Sequence, residues 1–248
     1  MLNFIKRAIE SLIWRAGYDL VPSYRTCKAG LRPDIARLVK SLQLDLVIDV
    51  GANEGQFKHF MRHAVRYSEK IISFEPIPSL ASKLSLESKF DPNWEVVAEA
   101  LGSENTTLEL NVSTKTVFSS FLNLSENGHA LFKEAIDKTT LYVPVRTLSS
   151  FLCLKKIDNR FFLKLDTQGF DLNVIVGGEA HILSQCALLL CEVSVIAIYE
   201  GQPSWQEVLS KLNEMGFDLV GLYPVNRTIN MQVIEFDCLL VNKRFLVT

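Results

Sequence analysis

No apolar run in this sequence is long enough to span a bilayer. The best candidate, Ala187 to Tyr199, is interrupted by Glu192. Cys-x-x-Cys pairs are absent, and the five cysteines (Cys27, Cys153, Cys186, Cys191 and Cys238) are odd in number, which speaks against a disulfide framework. Cys186 and Cys191 fall in an apolar stretch and read as buried thiols. Neither charge is in excess: 26 basic and 28 acidic residues give a net charge of -2. The chain therefore lacks the basic face that phosphate neutralisation needs, and no nucleic-acid partner is expected. The first residues lack a signal-peptide layout, because charges and apolar residues are mixed rather than separated into blocks. A reducing, cytoplasmic setting is expected, and the Asn-x-Ser/Thr matches at Asn105, Asn111, Asn123 and Asn226 carry no meaning there. No His/Asp/Glu cluster has metal-ligand spacing, so no metal is expected. Internal repeats and low-complexity stretches are missing too.

What is present is ample core material: 248 residues, 48% of them hydrophobic, enough for one domain of upper-middling size. Residues 2–16 have helical period, with Leu2, Ile5, Ile9, Leu12, Ile13 and Ala16 on one face and Lys6, Arg7, Glu10 and Arg15 off it. Two readings are open: a helix packing its stripe on the main body, or a basic amphipathic helix of residues 1–16 touching the inner membrane face. Residues 1–40 are set apart as an N-terminal helical extension, and 41–248 as the main domain.

From residue 46 the pattern changes. Leu46–Val50 reads as a strand, Gln56–Arg66 as a helix, Ile71–Phe74 as a strand, Ser79–Ser88 as a helix and Trp94–Ala98 as a strand. This rhythm implies a parallel sheet with right-handed crossovers. Residues 102–147 break it, with alternating runs at Thr107–Val112 and Leu141–Val145 read as extra strands around a mobile loop at 113–140. The rhythm returns with a strand at Phe161–Leu165, a short helix at Asp171–Gly177, a strand at Ala187–Val193 and a helix at Trp205–Met215. Phe217–Leu222 and Val233–Val241 close as an antiparallel hairpin. The expected fold is α/β: a doubly wound, mostly parallel sheet of seven strands, with ligands bound at the carboxyl ends beside the first strand.

The loop after that strand is Asp49-Val50-Gly51-Ala52-Asn53-Glu54-Gly55. Gly51 allows a tight turn and Gly55 a close backbone approach. A dinucleotide fingerprint needs glycines where this chain has Asn53 and Gln56, so that pattern fails. A pyrophosphate at a helix N-terminus favours bare amides and positive charge. Asp49 and Glu54 suit instead a cofactor with an ammonium and a sulfonium, as S-adenosylmethionine has. Glu75 ends the second strand, 20 residues past Gly55, where a carboxylate can accept both ribose hydroxyls. The turn Glu99-Ala100-Leu101-Gly102 borders the adenine ring in such folds. The strand Phe162–Leu165 runs into Asp166, which reads equally as a cap for the next helix or as a group facing the methyl. Glu192 closes an apolar strand, which is costly unless it is paired or functional. It reads as a partner of Lys164 or as a wall of the acceptor pocket with Tyr199 and Glu200.

These motifs, over residues 46–242, resemble the FkbM family of S-adenosylmethionine-dependent methyltransferases. The matching segments are Ile48–Gly55, Phe74-Glu75-Pro76, Ala100-Leu101-Gly102, Ser119-Ser120, Val143–Leu148, Lys164–Gly169 and Glu192. Two departures stand out: the family usually has Glu at Gln168 and Asp at Ser149. The resemblance implies a Rossmann-like class I methyltransferase fold and S-adenosylmethionine as cofactor. Its contacts are expected from Asp49, Gly51, Asn53, Glu54, Gly55, Glu75, Pro76, Ala100, Leu101 and Asp166. It also implies O-methylation of a sugar, glycan or secondary metabolite, in many members within surface-polysaccharide pathways. A sugar hydroxyl is a poor nucleophile, so a general base is expected from Asp166 first, then Glu192, then His63, with Lys164 beside them. Two alternatives stay open: a decayed cofactor-binding scaffold, and an NAD-dependent dehydrogenase or epimerase on a similar sheet.

Overall fold

A computed structural model describes residues 30–132 and 138–246. The helix expected at residues 2–16 lies outside them. The described chain enters through α1 (Leu31–Ser41) and passes into β1 (Leu46–Val50). Then come α2 (Gln56–Phe60), which continues as a π-helical turn Met61–Val65, β2 (Lys70–Phe74), α3 (Pro78–Ser88) and β3 (Trp94–Val97). The middle contains β4 (Ala100–Leu101), β5 (Thr106–Ser113), α4 (Glu126–Leu131), β6 (Lys138–Arg146) and α5 (Leu148–Lys155). The last part runs β7 (Phe161–Leu165), α6 (Asp171–Gln185), β8 (Cys186–Ser194), α7 (Trp205–Glu214), β9 (Phe217–Arg227) and β10 (Val233–Asn242).

Among the described residues, seven strands form one sheet in the order β3-β2-β1-β7-β8-β10-β9. β1 pairs in parallel with both β2 and β7, and β10 runs antiparallel between β8 and β9. The order reverses between β1 and β7, which opens a crevice at their carboxyl ends, as expected beside the first strand. Every residue of β1 and β7 is buried, as strands covered on both faces require. One face packs Phe74, Phe161, Leu163 and Leu189 against α5, α6 and α7. The other packs Val47, Phe162, Leu188 and Leu239 against α1, α2 and Tyr223. α1 runs across the expected junction at residue 40 and buries Leu31, Ile35 and Val39 on that second face. No described helix is long and apolar enough to cross a membrane.

The expected extra strands are β5 and β6, which with β4 form a three-stranded sheet beside the main one. The segment expected as a loop at 113–140 contains a 3-10 turn at Thr116–Phe118, a bridge between Asn111 and Ser120, and α4. α6 does not end at Gly177. Gly177 and Gly178 read as a helix stop, yet they serve packing: a Cβ on Gly177 would lie 1.9 Å from the Gly102 carbonyl oxygen, and one on Gly178 2.9 Å from Leu148. α5 went unforeseen although Thr147 marks its start, its hydroxyl accepting from the Ser150 amide at 3.1 Å.

Candidate active site

The loop after β1 closes on itself. The amides of Gly51 and Ala52 donate to the Phe74 carbonyl and that of Gly55 to the Ala52 carbonyl. Asn53 N–H donates to Glu75 Oε2 at 2.7 Å and Glu54 N–H to Gln56 Oε1 at 3.0 Å. All five amides are thus used inside the protein, and the nest that a pyrophosphate needs is absent from the loop. Gly51 sits at φ +76, where a Cβ would lie 2.1 Å from the Asp166 carbonyl oxygen. Its role is close approach of the β1 and β7 loops. Gly55, at φ +78, faces Leu84 and Trp94, so it serves the turn and packing rather than an approach to ligand. Asn53 takes φ +49, a region asparagine tolerates, and its Oδ1 accepts from the Thr116 hydroxyl at 2.9 Å.

Asp49 is wholly buried. Its Oδ1 lies 3.1 Å from the Lys164 ammonium, and its Oδ2 accepts from Ser73, which in turn accepts from the Trp94 indole. This corrects the expectation of an acid facing the cofactor's ammonium: Lys164 neutralises Asp49 beneath the loop. Glu54 is half-exposed and lies 3.4 Å from Lys83, a surface pair of little energetic worth. The discrimination against a pyrophosphate therefore comes from the occupied amides and from Glu75, not from two loop acids.

Lys164 also donates to the Gly51 carbonyl at 3.1 Å and lies 3.5 Å from Asp166 Oδ2. Burial pushes its ammonium toward neutrality, but the Asp49 and Asp166 carboxylates reverse this and raise its pKa above the usual lysine value. With its N–H groups directed at these three partners, Lys164 ties Asp166 and the loop together.

Glu75 is held by backbone amides rather than by a salt bridge. It is buried, and its two oxygens accept from the Asn53 amide at 2.7 Å and the Ile77 amide at 2.8 Å. Burial pushes its pKa up to about 7, and the two amide hydrogen bonds pull only part of the way back. A buried carboxyl at a strand end, already oriented by two backbone donors, fits a vicinal diol that would donate two more hydrogen bonds. Pro76 follows it and is half-exposed. Ala100 and Leu101 are buried, and their strand β4 pairs with β6, so their side chains face the core. Glu99, just before them, makes a bidentate pair with Arg146 at 2.6 and 2.8 Å.

Asp166 is no helix cap. α6 has no side-chain cap, and it is Asp171 that accepts from the Thr167 amide and hydroxyl. Burial pushes Asp171 up to about 6, with the Thr167 hydrogen bonds opposing. The Asp166 side chain is 40% exposed, and its Oδ1 accepts from Gln168 Nε2 at 2.8 Å. Gln168 Oε1 accepts from the Tyr199 hydroxyl at 2.8 Å, and the Gln168 carbonyl accepts from Ser120 Oγ at 2.7 Å. A glutamate could not donate to Asp166, so the departure at Gln168 creates this bridge.

The segments around Leu124 and Tyr199 meet beside this bridge. Leu124 bridges Tyr199, and Ser125 donates through its amide to Ile198 and through its hydroxyl to Ala197. Glu192 lies opposite Asp237 on β10 and shares a hydrogen bond with Glu235. Sequence reading missed Glu235, although an acid inside an apolar strand is the same signal that singled out Glu192. Glu235 also accepts from Asn226 at 2.8 Å and from Ser194, and Gln202 ties Ser194 to the Ile198 and Tyr199 amides. Glu200 is exposed. His63 is exposed on the π-helical turn after α2 and stacks on His59 at 6.0 Å.

The strand order and the loops at its switch point define a class I methyltransferase fold. The methyltransferase FkbM domain matches residues 49–219, and the chain belongs to that family. Among solved structures, a methyltransferase FkbM from Methylobacillus flagellatus KT is similar, at 14% identity and a TM-score of 0.49 over 80% of this chain; the match spans 43% of that protein's length. An rRNA methylase from Streptococcus thermophilus is similar at 14% identity and TM-score 0.43, over 86% of this chain and 95% of that one. A Burkholderia thailandensis 1,6-didemethyltoxoflavin-N1-methyltransferase, solved with S-adenosylhomocysteine, is similar at 13% identity and TM-score 0.42, over 97% and 88%. No curated protein sequence matches the chain.

Proposed function

We propose that the protein transfers a methyl group from S-adenosylmethionine to a hydroxyl of a sugar, glycan or secondary metabolite. The observation that supports the donor assignment is the pairing of Glu75, a buried acid held by two backbone amides rather than by a salt bridge, with a loop whose amides are already occupied. Such a site takes hydroxyl donors and offers a phosphate nothing, which also disfavours a nicotinamide dinucleotide. When bound, the donor supplies an electrophilic methyl on a sulfonium with a neutral thioether as leaving group.

The chain's own residues must hold that methyl in line with the acceptor oxygen and receive the hydroxyl proton. Asp166 is the first proton acceptor: it is exposed to the cleft and held in one orientation by Gln168 and Lys164. Glu192 stands next along the strand ends. A base of this kind contributes about 10²- to 10⁴-fold. Gln168 has a defined bridging role and Ser149 lies on α5, away from these groups, so neither departure speaks for a decayed site.

Calorimetry with S-adenosylhomocysteine tests the donor site. Tight binding by the wild type and its loss in Glu75→Ala are expected; undiminished binding in the variant removes the clamp. Mass spectrometry of products from neutral glycan and metabolite pools tests the acceptor class, and exclusive methylation of nitrogen or of RNA overturns it. A cytoplasmic setting with residues 1–16 at the inner membrane face rests on the sequence alone. Liposome co-sedimentation with and without these residues decides it, and equal partition sinks it.

A further inference from the structure

The seam between α5 and α6 brings together a nucleophile, a base and an orienting hydroxyl, apart from the site above. Cys153 is exposed on α5, and its Sγ lies 3.6 Å from Nε2 of His181 on α6. Nδ1 of the same ring lies 3.0 Å from the Ser149 hydroxyl. Ser149 and Cys153 are four residues apart, so they share one face of α5 and flank the imidazole from successive turns. The helices are held at close range beneath them, because Gly178 leaves no room for a Cβ against Leu148. With Nδ1–H donating to Ser149, Nε2 is left as an acceptor aimed at the thiol. Ser149, one of the two departures from the family pattern, thereby has a partner.

The other described cysteines are unlike it. Cys186, Cys191 and Cys238 are buried. Burial holds Cys186 as the thiol, and the hydrogen bond to Cys238 together with burial does the same for Cys191. Among the described cysteines, only Cys153 combines exposure, a neighbouring base and an oriented ring, the arrangement that makes a thiol reactive.

We propose that Cys153 is a nucleophilic modification site, activated by His181, that forms a mixed disulfide with low-molecular-weight disulfides. His181 takes the thiol proton, and the thiolate attacks one sulfur of the small disulfide. A bond forms between Cys153 Sγ and that sulfur while the original S–S bond breaks. The departing thiolate recovers the proton from His181 and leaves as a free thiol, so the exchange needs no further oxidant and is reversed by excess small thiol.

The test uses the full chain and an aromatic disulfide at neutral pH, with absorbance for rate and peptide mass spectrometry for position. The native protein is expected to show a fast phase mapping to Cys153. It should run on the order of ten- to a hundredfold faster than the same thiol in denatured protein, because His181 Nε2 is at hand to take the proton as the sulfur attacks. Cys153→Ser removes the phase. His181→Gln, which keeps polarity but not basicity, brings it to the denatured rate, and Ser149→Ala slows it partway. Circular dichroism establishes that each variant is folded, and Ser149→Ala carries the test should His181→Gln fail to fold. Labelling of Cys153 at the denatured rate overturns the proposal, as does a fast phase untouched by the substitutions.

Discussion

In the proposed donor site a single side chain, Glu75, is expected to set both the affinity and its pH dependence. Its pKa of about 7, against an ordinary 4.5, means that the folded, ligand-free protein retains a proton that the unfolded chain releases. Stability from this group is present at low pH and is lost as pH rises between those values. Ligand hydroxyls favour the ionised form, so affinity for S-adenosylhomocysteine should rise with pH through about 7 and weaken by about tenfold per unit below it. Calorimetry in buffers of different ionisation heat should register proton release on binding near neutrality; binding without proton exchange would contradict the assignment. Gly51 makes a second residue-scale prediction. Alanine there combines a left-handed φ with a Cβ 2.1 Å from the Asp166 carbonyl, and a loss of about 3 kcal/mol or more is expected in denaturant unfolding. A neutral result would mean that the two loops separate freely.

Among the elements, α6 shows how tertiary packing overrides local punctuation. Two successive glycines argue for a helix end, and the helix nevertheless runs 15 residues. Gly177→Ala raises helix propensity by about 1 kcal/mol yet drives a methyl into the Gly102 carbonyl 1.9 Å away. The clash should win, with a net loss of about 1–3 kcal/mol and a lower melting temperature. A stabilised variant would show that the α6–β4 contact has room to relax. At α7 sequence and structure agree, because Ser204 and Glu207 form a reciprocal capping box. Ser204→Ala should cost about 1 kcal/mol by thermal denaturation.

Over the whole molecule, the strands and their parallel direction were legible, though not their order, because each fully buried strand is a short apolar run ended by a glycine or an acid. The tight loop after β1 and the strand-end place of Glu75 were legible for the same reason. What periodicity could not show is the direction in which an acid points. Asp49 and Asp166 both lie near the ends of apolar strands and both meet Lys164, yet one is wholly buried and the other is 40% exposed. Glu235 was hidden by its place in a hairpin far from every motif, and only strand pairing brings it to Glu192.

The bond from Lys164 to Gly51 spans 113 residues of chain. The donor loop is local in sequence, but the lysine that neutralises its buried aspartate arrives only when β7 joins β1. Closing so long a loop is slow, and the buried Asp49 has no counter-charge until it happens. Donor binding should therefore return in the last phase of refolding, after helical signal has recovered, as stopped-flow detection of ligand binding would register.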